Sequence, residues 1–143
     1  MSCIIIAEIG ENHLGDLHLA KQMIADAAKS GADIVKFQSY LGKDFKTDDP
    51  EKEWFTKVEL SNEAHFELRE FSMENGVEFL SSPFSLERAR FLCEELKLNK
   101  IKIASGMMMD FRVLDYINSS DTETVFLSTG MATLGEISEA LKH

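Results

Sequence analysis

Several features that mark common protein classes are scarce in this chain of 143 residues. Its hydrophobic runs are short, and none approaches the roughly 20 residues that a membrane-spanning helix needs. Two cysteines are too few for a disulfide framework, so we expect Cys3, in a strand, and Cys93, in a helix, to be small buried side chains. The amino terminus lacks the basic lead-in and the length of a signal peptide. We therefore predict a cytoplasmic location.

Positive charge is also scarce, because 15 Lys and Arg residues stand against 25 Asp and Glu, a formal net charge of −10. Such a chain has neither the basic surface that binds nucleic acid nor the polybasic patch that binds a membrane. The glycine-rich nucleotide loops and the Cys-x-x-Cys pairs of zinc sites are missing as well. An anionic ligand would therefore be held by a few placed lysines and backbone N–H groups.

Five apolar, β-branched runs alternate with stretches of helical periodicity. The predicted strands are Cys3–Ile9, Asp33–Tyr40, Val77–Phe84, Lys100–Ser105 and Thr124–Ser128. Apolar residues at helical spacing follow the first four strands, and a further amphipathic stretch begins at Leu134. Strands that alternate with helices pair in parallel, which predicts an α/β fold. Five such units fit either the first part of a (β/α)8 barrel, a partial TIM barrel, or a complete flavodoxin-like sheet of five strands, doubly wound.

A long polar connection, Leu41–Leu60, interrupts this alternation. It contains Pro50 and the aromatic residues Phe45, Trp54 and Phe55. A loop of this length fits a functional lid or a binding loop. A solvated surface excursion with two packed aromatic rings fits equally well, so both interpretations stay open.

The candidate catalytic residues lie at the carboxyl ends of the predicted strands, where parallel α/β folds place their active sites. Lys36 is the strongest signal, because a lysine among Ile, Val and Phe in a parallel strand is rarely buried without a partner or a ligand. Glu8, on the first strand, is the obvious ion-pair partner. Alternation puts Lys36 and Gln38 on one face of the second strand. Lys102 occupies a similar place in the fourth strand. For both lysines, the sequence leaves open whether the partner is a bound anion or a carboxylate of the chain itself.

Hydroxyl side chains close three predicted strands just ahead of helices. They are Ser81 with Ser82, Ser105 before Gly106, and Ser128 with Thr129 and Gly130. Small hydroxyls, glycine and helix N-termini together form phosphate-binding cradles. Each cluster alone is equally a turn or cap signal. Their convergence on two strand lysines favours a site for a phosphate or a carboxylate.

The strand ends together carry a more specific pattern than any single motif. The stretches IIIAEIGENHLGD, GADIVKFQSY, GVEFLSSPFS, IKIASG and LSTGMATLGEI occur in this order along the chain. In order and spacing they closely resemble the N-acetylneuraminate (sialic acid) synthase family, which includes the pseudaminate, legionaminate and spore-coat polysaccharide synthases. The resemblance covers essentially all of the 143 residues.

This resemblance implies a (β/α)8 barrel enzyme that condenses phosphoenolpyruvate with an N-acetyl-hexosamine such as N-acetylmannosamine, giving a nonulosonic acid and phosphate. It assigns phosphoenolpyruvate binding to Lys36, Ser82, Lys102, Ser105 and Ser128. It makes Glu8, Lys36 and Gln38 the catalytic residues, with Glu8 and Gln38 facing the sugar. It also implies a divalent metal, Mn²⁺ or Mg²⁺, whose two histidine ligands come from the last strands of the barrel. We therefore expect no metal ligand in this chain.

The resemblance also bears on the extent of the chain and on its activity. It makes residues 1–143 the N-terminal portion of the barrel, ending in the helix after the fifth strand. Strands that do not close a barrel leave open edges, so a homo-oligomer is expected. Met107 stands where many family members have an acidic residue, and a thioether cannot transfer a proton. A non-catalytic remnant is therefore the alternative to an enzyme, beside a flavodoxin-like binding module.

Overall fold

The computed structural model describes residues 3–143, which form two compact units. The first unit extends to Leu80, and the second is Ser81–His143. Strands and helices alternate along both units, as the sequence predicts.

The strands are β1 (Ile6–Gly10), β2 (Ile34–Ser39), β3 (Glu78–Pro83), β4 (Lys100–Ile103) and β5 (Thr124–Leu127). The helices are α1 (Leu17–Lys29), α2 (Lys52–Val58), α3 (Asn62–Glu74), α4 (Leu86–Arg90), α5 (Phe111–Asn118) and α6 (Leu134–Ala140). Helix α4 runs on into a π-helical turn, Phe91–Glu95. Over residues 3–143, no helix combines the length and the apolar character that a membrane span requires.

The order of the strands decides between the two predicted architectures. β1 and β2 pair in parallel, and their sheet has the order β1-β2-β3. Where β3 begins, the Glu78 N–H donates to the Asp33 carbonyl at 2.9 Å. A flavodoxin-like sheet would place β1 between β2 and β3. Here β2 lies between its neighbours in the chain, as in a barrel, so the flavodoxin-like alternative is wrong.

The register of β1 and β2 sets Glu8 directly opposite Lys36. The ladder then skips Ile9 and resumes with Gly10 opposite Phe37, so β1 carries a one-residue bulge at its carboxyl end. The chain turns at Gly10, whose φ of +56° lies in the left-handed region that favours glycine. The bulge and the turn together bring the end of β1 beside the end of β2.

The core of the first unit lies between its helices and its sheet. Helices α1 and α3 pack against each other, and Ile24 of α1 and Leu68 of α3 are fully buried. Phe37 of β2 stacks on Phe79 of β3 with ring centroids 5.3 Å apart. The Ser61 hydroxyl accepts the Ala64 N–H and so caps the start of α3.

The second unit is built on a parallel pair of strands, β4 and β5. Ile101 and Ile103 of β4 are completely buried, and so is Val113 of α5. Helix α4 packs against α5. The four-residue strands end at Ile103 and Leu127, which brings the residues that follow each of them to one edge.

The prediction for Cys3 is wrong, because Cys3 is exposed and precedes β1. Ile5, which also precedes β1, donates its backbone N–H to the Asp33 carboxylate at 2.7 Å. This N–H is therefore hydrogen-bonded although it is not part of the strand ladder. Cys93 is half-buried in the π-helical turn, so its helical setting was predicted correctly but its full burial was not.

The connection Leu41–Leu60 is not a plain loop, because it contains helix α2. Phe45 and Phe55 stack with ring centroids 4.4 Å apart, and Tyr40 meets both rings edge-on. Trp54, in contrast, is 41% exposed. Two of the three predicted aromatic residues therefore anchor the connection to the end of β2.

Candidate functional site

Lys36 is a buried cation held by a carboxylate that remains open to solvent. Only 5% of Lys36 is exposed, and its Nζ lies 3.0 Å from Glu8 Oε1. Nζ also lies 3.4 Å from the Phe37 carbonyl oxygen. The side chain of Glu8 is 59% exposed. The ion pair expected from the sequence is therefore present, with its two partners in very different surroundings.

Gln38 lies on the same edge of the sheet. A Cβ placed on Gly10 would lie 3.4 Å from Glu8 Oε1 and 3.7 Å from Gln38 Nε2, so both side chains converge on Gly10. The three predicted catalytic residues thus lie together at the carboxyl ends of β1 and β2. We call Glu8, Lys36 and Gln38, with the two residues described next, the first cluster.

Sequence reasoning missed Glu11 and Tyr40, which complete the first cluster. Glu11 lies in the loop after β1, and Tyr40 directly follows β2. Burial raises the pKa of Glu11, while the neighbouring Tyr40 hydroxyl and the charge of Lys36 oppose the rise. Burial raises the pKa of Tyr40 too, and the charge of Glu11 adds to that effect. Their positions just beyond two strand ends were the signal that could have identified them.

His13 fixes the loop that carries Glu11. A lone histidine in a loop predicts a surface or capping side chain, but only 1% of His13 is exposed. Its Nδ1 accepts the Gly15 N–H at 3.1 Å, and its ring lies 5.9 Å from that of Phe37. Burial lowers the pKa of His13, against the opposing effect of a hydrogen bond with the Gly10 backbone. A neutral imidazole therefore ties Gly10 to Gly15 across the loop.

The second unit brings two of its predicted anion-binding residues into contact. Lys102 Nζ donates to Ser128 Oγ, and it also donates to the Ile103 carbonyl at 3.0 Å. The Ser128 N–H in turn donates to the same Ile103 carbonyl, 3.0 Å away. The half-buried lysine is therefore oriented toward the residues that follow β4 and β5. We call Lys102, Ser105 and Ser128 the second cluster.

Ser105 completes the second cluster from the turn after β4. A Cβ placed on Gly130 would lie 3.7 Å from Ser105 Oγ, so the turns after β4 and β5 approach each other at these residues. Ser105 is exposed. Ser82 lies buried toward the end of β3, in the same unit. Its role in binding stays a prediction.

The contribution of helix N-termini to the cradle stays a prediction. Helix α4 is capped by Ser85, α5 begins after Asp110, and α6 is capped by Thr133. Ser82 still lies within β3, Ser105 begins a short 3-10 helix (Ser105–Met107), and Ser128 is followed by a turn ahead of α6. An anion at the second cluster would meet the Lys102 ammonium and the hydroxyl groups of Ser105 and Ser128.

The described residues do not fit the divalent metal that the resemblance implies. Over residues 3–143, no group of three or more His, Cys, Asp and Glu side chains could hold a metal ion. The Glu8 carboxylate of the first cluster already lies against the Lys36 ammonium. We therefore assign no chemical step to a metal on this part of the chain.

The sequence profile of the NeuB family matches residues 23–143, which contain strands β2 to β5 and the whole second cluster. The chain belongs to the NeuB family. The N,N'-diacetyllegionaminic acid synthase of Campylobacter jejuni is 43% identical over 153 residues, covering 96% of this chain and 45% of that protein. The human N-acetylneuraminate-9-phosphate synthase is 34% identical over 146 residues, covering 92% of this chain and 40% of that protein.

A solved structure of the same kind supports this family membership. The crystal structure of the N-acetylneuraminic acid (sialic acid) synthetase of Leptospira borgpetersenii, in complex with citrate, matches with a TM-score of 0.91 at 32% identity. The match covers 99% of this chain and 50% of that one. This NeuB family chain thus has the parallel α/β fold of the N-terminal part of a sialic acid synthase barrel. It spans half or less of the length of these relatives.

Proposed function

We propose that this chain supplies the phosphoenolpyruvate-binding part of a sialic-acid-type synthase. The enzyme would condense phosphoenolpyruvate with an N-acetylated amino sugar to give a nonulosonic acid and phosphate. Residues 1–143 would be the N-terminal portion of its barrel. The names of the relatives support this, since they are legionaminic acid and N-acetylneuraminate-9-phosphate synthases. The observation that carries the proposal is the contact between Lys102 and Ser128 at the carboxyl ends of β4 and β5.

The second cluster is suited to an anion because its cation is oriented before any ligand arrives. Lys102 is held by the Ile103 carbonyl and by Ser128, so little side-chain entropy remains to be lost on binding. Hydrogen bonds from an ammonium to phosphate or carboxylate oxygens are about twice as strong as neutral ones. Ser105 and Ser128 add hydroxyl donors. Lys102 would stabilise charge on the substrate as the intermediate forms and collapses.

The first cluster offers a second cation for the same reaction, by the family resemblance. A buried ammonium needs a negative partner, and Glu8 supplies it in the ligand-free chain. Because Glu8 is largely exposed, its carboxylate can return to water at little cost when an anion takes its place. Lys36 would then bind phosphoenolpyruvate, while Glu8 and Gln38 would face the sugar.

The finer features of this assignment are predictions from the resemblance. They are an N-acetylmannosamine-like sugar as the second substrate, a divalent Mn²⁺ or Mg²⁺ held outside residues 3–143, a homo-oligomer and a cytoplasmic location. The Leptospira relative was solved in complex with citrate, a compact polycarboxylate. A site for a compact anion in this chain agrees with that ligand.

Calorimetric titration of the chain with phosphoenolpyruvate tests the proposal. We expect saturable binding that weakens about tenfold or more in Lys102→Ala and in Lys36→Ala, since a hydrogen bond to a charged group contributes about 1.5–3 kcal/mol. Lys142→Ala is the matched control, because Lys142 is an exposed lysine of the second unit paired only with Glu139 among the residues described. Absence of saturable binding, or binding that neither cluster variant weakens, would overturn the proposal.

A further inference from the structure

Strand β5 has an open edge in the second unit. Over residues 3–143, β4 is the single strand that pairs with β5. The Ser128 N–H donates to a carbonyl of β4 at 3.0 Å, and the Thr124 N–H donates to the residue before β4 at 3.1 Å. Backbone groups alternate in direction along a strand, so the N–H and C=O groups of Val125 and Leu127 point away from β4. The edge therefore offers alternating hydrogen-bond donors and acceptors to another strand.

The side chains of these two residues line an apolar groove of about 190 Å³ between β5, α5 and the end of α6. Val125 is 45% exposed there, and Leu141, which also lines the groove, is 73% exposed. Leu134 lies seven residues before Leu141, on the same face of α6, and is exposed as well. An apolar surface thus continues from the edge of β5 onto α6.

The edge of β5 has none of the features that usually keep two strand edges apart. Thr124–Leu127 includes no charged residue and no proline, and its register with β4 is unbroken. The described residues that line the groove include no carboxylate, although the whole chain has a formal net charge of −10. Two copies of so acidic a chain repel each other over most of their surface. A surface without acidic groups is where they can approach.

We propose that β5 pairs antiparallel with β5 of a second copy of this chain, about a two-fold axis at Phe126. The axis sets Val125 opposite Leu127 of the partner subunit, and symmetry repeats this pair on the other side of the axis. Each pair exchanges both of its N–H···O bonds, because the backbone groups of both residues point to the open edge. Residues directly opposite each other also share a face of the sheet, so the apolar grooves of the two copies meet.

The position of the axis follows from the limits of the strand. An axis at Val125 would pair Leu127 with Glu123 of the partner subunit, which brings a negative charge to the edge. An axis at Leu127 would pair Val125 with Thr129 of the partner subunit, which lies beyond the end of the strand. The axis at Phe126 keeps every hydrogen-bonded pair within β5. The edge is therefore complementary to itself, which favours a second copy over an unrelated strand.

This inference identifies the interface of the proposed homo-oligomer and shares only that oligomer with the proposed function. It rests on β5, α5 and α6, so it holds whether or not phosphoenolpyruvate binds. Loss of the dimer would equally leave the result of the phosphoenolpyruvate titration as it stands.

Sedimentation velocity of the full chain over a range of concentrations tests the pairing, and we expect an equilibrium between monomer and dimer. Val125→Pro should weaken the dimer at least tenfold, because both copies lose an N–H that points to the partner. The β4–β5 ladder does not use that N–H, so an edge strand tolerates the proline. Val125→Lys should weaken the dimer as well, by bringing a charge into the groove. Met73→Lys changes an exposed apolar residue of α3 and is the matched control, which should leave the dimer intact.

Amide hydrogen exchange locates the contact within the dimer. The amides of Val125 and Leu127 should be protected at high protein concentration and exchange rapidly on dilution. Those of Thr124 and Ser128 should be protected at both concentrations, because they are bonded on the β4 side.

Four results would overturn the inference. They are a monomer at every concentration, a dimer that both Val125 variants leave intact, a mass that rises beyond two chains, and protection of Val125 and Leu127 in a monomer. The third would mean a head-to-tail contact in place of a two-fold one. The fourth would mean that a segment of the same chain covers β5. Should Val125→Pro fold poorly, Val125→Lys and the exchange measurement on the unaltered chain decide the question.

Discussion

Lys36 and Glu8 face each other across the β1–β2 ladder, with 3.0 Å between Nζ and Oε1. The lysine is buried and the glutamate is mostly exposed, so the cost of desolvation falls almost wholly on the cation. A pair built in this way adds little to stability by itself. Its arrangement suits a cation that exchanges one anionic partner for another.

We predict that Lys36→Met leaves the free energy of unfolding unchanged or raises it by about 1–4 kcal/mol, because an apolar side chain of similar size replaces a buried charge. Glu8→Gln should lower it by about 1–2 kcal/mol, less than for a fully buried pair, because Glu8 is largely hydrated. Urea unfolding of both variants beside the unaltered chain measures the two effects. A Lys36→Met chain less stable than Glu8→Gln would contradict this account.

The Lys102–Ser128 contact leads to a prediction about affinity. Ser128→Ala removes the hydroxyl that accepts from Lys102 Nζ, so the lysine loses its orientation and the ligand loses a donor. We expect phosphoenolpyruvate to bind about tenfold more weakly, equivalent to roughly 1.4 kcal/mol. Calorimetric titration measures the change, and Ser119→Ala, an exposed serine after α5, serves as control. Equal affinities of the two variants for phosphoenolpyruvate would show that Ser128 does not contribute to binding.

The buried His13 makes stability depend on pH. The pKa of His13 in the folded chain is lowered below the ordinary value of 6.5, so the unfolded chain binds its proton more readily. The contribution of His13 is therefore complete above about pH 6.5 and is lost as the pH falls toward the folded pKa. Urea unfolding at about pH 7.5 and about pH 5.5 should show this loss. His13→Gln should reduce the difference, whereas His18→Gln, on the exposed face of α1, should not.

Two glycines of the first unit with similar backbone angles should respond differently to alanine. Gly31 has a φ of +88° and open space where a Cβ would lie, so Gly31→Ala should cost only the left-handed backbone term, about 1–2 kcal/mol. Gly15 has a φ of +80°, and its Cβ would lie 2.5 Å from the Lys57 carbonyl oxygen. Gly15→Ala should therefore lower the free energy of unfolding by more than Gly31→Ala does. If urea unfolding shows equal losses of unfolding free energy for the two variants, the C-terminal end of α2 moves away from the added methyl group at little cost.

Strands β2 and β3 were predictable from the sequence because they are buried on both faces. Long β-branched runs predict such strands to within a few residues. Alternation along β2 placed Lys36 and Gln38 on one face, and the structure brings Glu8 beside Lys36 and, at Gly10, near Gln38. Helix α2 was missed because it has seven residues, lacks a side-chain cap and follows Pro50 closely. Short helices of this kind form through tertiary packing, which leaves little trace in periodicity.

The positions of Glu11 and Tyr40 just beyond two strand ends could be predicted, but the burial of the loop that carries Glu11 could not. The half-buried position of Glu11 and the full burial of His13 follow from the turns at Gly10 and Gly15, whose positive φ angles fold the chain back on itself. A pattern of apolar and polar residues carries no information about such a turn.

Because of the bulge in β1, the structure of this region depends more on the number of residues in the strand than on their identity. From Glu8 to Gly10 the chain takes two steps along β1 while its partner takes one, from Lys36 to Phe37. Deleting Ile9 would leave Gly10 opposite Phe37 in an unbroken ladder, but it would remove the bulge and with it the extra residue that leads into the turn at Gly10. Exchanging Ile9 for another apolar residue keeps the count and thus the cluster. Insertions and deletions at this point, even of a single residue, are therefore the changes that this part of the protein can least accommodate.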